Sequence, residues 1–165
     1  MIKNVCFNIC QHIDSRKCQK EKIMFKQIRQ KAFETNSSST HSVSISYADA
    51  LLETFDLNED NNLELSFGDF GWEEMIFYNK YDRLAYAATF AYNYANSEKL
   101  TLFLKVLKEQ TGANDILPAN TEKKDFGYID HQSVGEAATI FEDEQSLRMF
   151  LFNPNSYFET DNDNH

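Results

Sequence analysis

The chain has 165 residues, 26 of them acidic and 16 basic, for a net charge of −10. That length fits one domain with an adequate core, and so acidic a balance excludes nucleic-acid binding by phosphate neutralisation, which needs a basic surface. No apolar run approaches the length of a membrane span, so a soluble protein is expected.

Residues 1–23 differ in composition from the rest. They hold all three cysteines (Cys6, Cys10, Cys18) and five of the sixteen bases against two acids. A secretory signal needs a longer apolar stretch and a small-residue cleavage site, and neither is present. Cys6, Cys10, His12 and Cys18 offer four zinc ligands, but their spacing matches no common knuckle or finger. A disordered leader is expected there, with no metal and no cofactor assigned.

Residues 24–33 alternate loosely through Phe25, Ile28 and Ala32 and predict a first strand or extended arm. After a polar run at 34–42, residues 43–47 alternate at period two and predict a strand with one buried face. Residues 48–55 place Leu51, Leu52 and Phe55 on one face of a short helix, which ends before an acidic turn at 58–62. In that turn Asp56, Asn58 and Asp60 match the first, third and fifth positions of a calcium loop. Asn61 and Phe67 stand where glycine and a bidentate glutamate are required, so it reads as a solvated turn. Leu63, Leu65 and Phe67 predict another strand, closing at Gly68.

Gly68-Asp69-Phe70-Gly71-Trp72 contains two of the five glycines and the only tryptophan. It predicts a bend or bulge, with Trp72 either an aromatic wall for a base or sugar or a corner of the core. Residues 81–94 read as a helix capped by Asp82. Residues 97–111 form the clearest helix, with Ser97 as cap, Leu100, Phe103, Leu104 and Leu107 as the buried stripe, and Gly112 as the stop. Residues 113–125, with Pro118, predict a loop, and 126–130 a short strand ending at His131. Asp143 caps a final helix that stops before Pro154. Residues 157–159 suit a last strand and 160–165 a disordered acidic tail. Strands and helices without regular alternation predict an α+β fold: one domain over 24–159, a mainly antiparallel sheet with three to four helices packed on it.

The polar run concentrates hydroxyls, a carboxylate, an amide and an imidazole in Glu34-Thr35-Asn36-Ser37-Ser38-Ser39-Thr40-His41-Ser42. Such a set can hold a phosphate, a nucleotide or a carbonyl; the alternative is a turn whose side chains satisfy their own backbone. Together with Arg29-Gln30-Lys31-Ala32-Phe33, the run resembles the opening of a family of uncharacterised bacteriophage and prophage proteins, mostly of Gram-positive hosts. Phe70-Gly71-Trp72, Ile129-Asp130-His131-Gln132-Ser133 and Asn162-Asp163-Asn164 resemble later parts of it. The resemblance implies a phage setting in the cytoplasm of the host cell and supplies no mechanism. In that family the motif lies near the initiating methionine, so Met24 is the expected natural start, with Lys20-Glu21-Lys22-Ile23 encoded by a purine-rich ribosome-binding sequence. From Met24 the formal charge becomes −13.

His41 and His131 each lie beside a hydroxyl residue and near the end of a predicted strand. If those strands are neighbours, two imidazoles in one cleft suit acid and base roles on a phosphodiester. His131-Gln132-Ser133 fits the H-x-S half-motif of two-histidine phosphoesterases, whereas His41-Ser42-Val43 lacks the second hydroxyl. A different arrangement pairs His41 with Glu34 or Asp130 and takes one of Ser37, Ser38 and Ser39 as nucleophile, without a nucleophile elbow around them. The candidate site is therefore His41, His131 and Glu34 for chemistry, with Asn36, Ser37, Ser38, Ser39, Thr40, Ser42, Ser133 and Trp72 for a phosphate-bearing small molecule or nucleotide. The competing function needs no active site: an acidic protein that binds and inhibits a host protein engaged in defence or nucleic-acid handling. Whether the acids of 56–74 and 125–144 converge on one face is a discriminator for it.

Overall fold

The computed structural model describes residues 25–28, 39–119 and 125–162. Its main sheet has four antiparallel strands in the order β1 (Phe25–Ile28), β2 (Ser39–Ser46), β8 (Tyr157–Asn162), β5 (Met75–Phe77). Two parallel pairs complete the β-structure: β3 (Leu63–Leu65) with β6 (Ile116–Pro118), and β4 (Asp69–Phe70) with β7 (Tyr128–Ile129). Four helices, α1 (Lys80–Asn93), α2 (Ser97–Thr111), α3 (Val134–Thr139) and α4 (Glu144–Phe152), make this a mixed α+β domain.

β2 begins four residues earlier than its apolar alternation suggests, because the end of the polar run pairs with β8: Ser39 opposes Asn162 and His41 opposes Thr160. Those pairs also carry β8 to Asn162, through residues expected in a disordered tail. Period two places His41, Val43 and Ile45 on one face and Ser42, Ser44 and Ser46 on the other. Both faces are buried, where one was expected. The serine face is stitched by side chains: Ser156 accepts the Ser46 amide at 3.0 Å, and Asn153 donates to the Ser46 carbonyl at 3.0 Å.

α3 and α4 pack on β2, and α1 packs on α2, α3 and α4. The core between them is aromatic. Phe158 of β8 stacks on Tyr86 at 4.1 Å and on Phe77 at 4.4 Å, and Phe70 meets all three rings edge-on.

The helix expected over residues 48–55 is absent. Tertiary partners take its backbone: the Glu53 amide donates to the Phe152 carbonyl at 2.8 Å, Asn153 holds the Ala48 carbonyl, and Leu51 stands 93% exposed. α1 is capped three residues before the expected Asp82 and α2 one residue before the expected Ser97, at Asn79 and Asn96, whose side chains accept the Tyr81 and Lys99 amides. α4 is capped by Asp143, and Gly112 ends α2 in the left-handed region at φ 71°. The stretch read as a loop at 113–125 contributes β6; β5 and α3 were not anticipated.

Candidate functional site

His41 is fully buried and both ring nitrogens are bonded. Nε2 lies 3.0 Å from the Gly71 carbonyl and Nδ1 lies 3.1 Å from the Tyr86 hydroxyl. A carbonyl only accepts, so Nε2 carries the proton and Tyr86 donates to Nδ1, which fixes the neutral tautomer. Burial lowers the imidazole's pKa, partly offset by the Gly71 bond and the charge of Asp130. The Tyr86 hydroxyl, itself buried, is pushed far above the usual phenol range by desolvation and by Glu136. Burial also raises the pKa of the Glu136 carboxyl, whose Oε2 finds no partner among the described residues.

The segment from Asp130 to Ser133 does approach β2, since the His41 amide donates to Ser133 Oγ at 3.0 Å. The two imidazoles nevertheless do not share a cleft. His131 is 86% exposed and lies 3.3 Å from Asp130, while His41 faces the core. Ser42 donates to Glu159 at 3.0 Å, and Thr40 is also engaged. Ser39 opens β2. Glu34, Asn36, Ser37 and Ser38 lie outside the described residues, as do the cysteines of the leader.

Trp72 is where the site residues read from the sequence meet an open surface. It is 58% exposed and walls a cleft of about 200 Å³, with Asp69, Glu73, Met75 and Tyr128 around it and Phe70 and Phe77 beneath. The backbone on both sides of Trp72 is gripped by one cross-strand pair. His41 of β2 holds the Gly71 carbonyl, and Thr160, its partner on β8, donates to the Glu73 carbonyl. The opposite wall depends on Gly127. Its φ is +64°, and a Cβ at this position would collide with the Gly68 carbonyl, so only glycine fits. The Tyr128 amide then bonds that same carbonyl at 3.1 Å and sets Tyr128 beside Asp69.

Charge around the cleft has one sign. Residues 66–79, 125–136 and 156–162, which supply its walls and the strands beneath, contain eight acids and neither a lysine nor an arginine. Of the described bases, Arg83 of α1 reaches these segments, donating to the Tyr78 and Ser156 carbonyls, but it is buried and paired with Glu53, and none lines the cleft; Lys99, Lys105 and Lys108 stand on α2 and Arg148 on α4. The acids expected on one face divide. Asp69 and Glu73 reach the cleft, whereas the turn around Asp60 sits by Asn114 and Glu144 pairs with Lys105 at 2.7 Å.

In that turn Asn58 accepts the amides of Asp60 and Asn62, so it is closed by its own hydrogen bonds. Among the described residues no group of three histidine, cysteine or carboxylate side chains is placed to hold a metal ion. No helix among them is long and apolar enough to cross a membrane.

Comparison with protein-family models, with curated proteins and with solved structures gave no match. Site geometry is therefore the ground for a functional reading. Sequence reasoning singled out Trp72 but missed Asp69, Glu73 and Tyr128. The signal available was the two acids flanking an isolated tryptophan, with Gly127 preparing the backbone for Tyr128.

Proposed function

We propose that this chain is a non-enzymatic, phage-type accessory module that binds a basic surface of a host protein through the Trp72–Tyr128 cleft. The observation that carries the reading is an exposed tryptophan beside two carboxylates, in a cleft whose lining among the described residues holds no lysine or arginine. Tryptophan and tyrosine supply most of the energy at protein interfaces when they sit in a pocket, and an aromatic face with adjacent carboxylates favours a cation. Size argues the same way. At about 200 Å³ the cleft is smaller than the roughly 300–1,000 Å³ of small-molecule sites, so it suits one side chain rather than a nucleotide, and its acids repel phosphate.

The test is affinity capture from host lysate with the wild-type chain and with Trp72→Ala, alongside thermal-shift measurements with nucleotides and inorganic phosphate. The expected result is a basic protein retained by the wild type, lost with Trp72→Ala and released by salt, with no stabilisation by any phosphate compound. Stabilisation by a nucleotide, with no capture that depends on Trp72, overturns the reading in favour of a phosphate site in the polar run.

A further inference from the structure

We infer that the cleft receives a lysine or arginine side chain from an extended segment of the partner, and that this segment adds as a strand to the free edge of β5; this rests on the protein-binding reading above. β5 pairs with β8 on one side, and no described strand pairs with its other edge. An unpaired edge presents backbone donors and acceptors to another chain, and proteins ordinarily cover or blunt it. Here Trp72, Glu73, Glu74, Met75 and Ile76 are exposed in succession, with Met75 at 45% and Ile76 at 52%. Three of these five are large and apolar, so the edge is not blunted by polarity alone.

Alternation along the strand divides its side chains. Met75 and Phe77 line the cleft, and Ile76 turns to the other face. A strand added beside β5 runs about 4.8 Å away, within reach of a lysine or arginine whose charged end crosses Met75 to Asp69, Glu73 and the ring of Trp72.

Charge selects the occupant. A second copy of this chain brings Glu73 and Glu74 against the same residues, and an acidic or phosphorylated peptide meets the same repulsion. A segment with apolar residues alternating with lysine or arginine complements both the exposed apolar side chains and the carboxylates.

The probe is acetyl-Val-Arg-Val-Arg-Val-Arg-Val-amide, titrated into the full chain and followed by the fluorescence of Trp72, the sole tryptophan. Four companions are titrated in parallel: the peptide with alternate backbone amides N-methylated on one edge, the same peptide N-methylated on the other edge, the peptide with glutamate in place of arginine, and N-acetylarginine amide. The parent peptide is expected to bind, the glutamate peptide to be inert, and Glu73→Gln to weaken binding. N-methylation on the pairing edge is expected to weaken it about fivefold per blocked hydrogen bond.

Equal binding by peptides N-methylated on either edge overturns strand addition while leaving the cation-binding cleft intact. No response of Trp72 to the peptide or to N-acetylarginine amide removes the cleft reading as well. Dimerisation seen by sedimentation velocity, with no binding of the peptide to the dimer, means that a second copy already covers the edge and also overturns the proposal. Because N-methylation alters only the peptide, none of these outcomes depends on a variant folding.

Discussion

Replacing His41 with alanine tests whether the histidine of the polar run is a clamp or a catalyst. The substitution leaves the Tyr86 hydroxyl, which is fully buried, without the acceptor now 3.1 Å away, and the Gly71 carbonyl without the donor now 3.0 Å away. A buried polar group deprived of its partner costs about 1–3 kcal/mol, which applies in full to the Tyr86 hydroxyl, while the half-buried Gly71 carbonyl at the cleft adds less; the loss is at least about 1–3 kcal/mol before any contribution from the void. Small domains have about 5–15 kcal/mol in all, so this is a large share. Urea denaturation followed by far-UV circular dichroism measures the change, with His131→Ala as the exposed control, expected within about 0.5 kcal/mol of wild type. The acid limb supplies an independent check. Burial keeps the folded imidazole's pKa below the ordinary value of 6.5, so the unfolded chain binds a proton first as pH falls. Wild-type stability therefore declines from about pH 6.5 toward the folded value, and His41→Ala loses that part of the slope. A loss under about 1 kcal/mol with an unchanged pH slope would refute the clamp.

Three further outcomes follow from the geometry. Gly127→Ala, which places a Cβ against the Gly68 carbonyl at positive φ, is expected to lower stability by at least about 2 kcal/mol, whereas Gly135→Ala, in open space within α3, raises it by about 0.5–1 kcal/mol; thermal melts compare the two. Glu136→Gln is expected to match wild type near pH 4 and exceed it near pH 7. The raised folded pKa means that wild-type stability is lost as pH climbs from the unfolded value of 4.5 through the folded one, and denaturation at both pH values checks the sign. Arg83, wholly buried, donates to the Ser156 carbonyl at 3.0 Å and to Glu53 at 2.5 Å, so Arg83→Leu is expected to cost about 3–5 kcal/mol in the same denaturation assay.

What could be read from the sequence was what local chemistry decides. α2 and α4 announced themselves through apolar spacing and through Gly112 and Asp143, because caps and stops act over one turn. Residues 48–55 have a helical pattern but surrender their backbone to α4, a partner nearly a hundred residues away that no window contains. β5 was hidden because Trp72 to Ile76 are exposed and follow no simple alternation. α3 was hidden by its six-residue length and Gly135.

The site was legible in part. The polar run reads as a ligand loop when taken alone, yet extending the alternation of Val43 and Ile45 back by two residues puts His41 on the same buried face. The pairing with Thr160 that turns His41 toward Gly71 required the register of β8, which composition does not carry. Trp72 was visible as the only tryptophan, in a glycine-flanked aromatic segment, while its companions Asp69 and Tyr128 meet only through the parallel pairing of β4 with β7.

The uneven division of charge described above has a kinetic meaning. α2 nearly balances its acids and bases, while the segments around Trp72 carry acids alone, so among these elements the negative charge gathers around the cleft. For the basic partner proposed above, that acidic surface is what attraction before contact acts on, favouring encounters at the tryptophan. Ionic strength then acts mainly on the frequency of productive encounters, and the lifetime of the complex is set by the apolar contacts that follow.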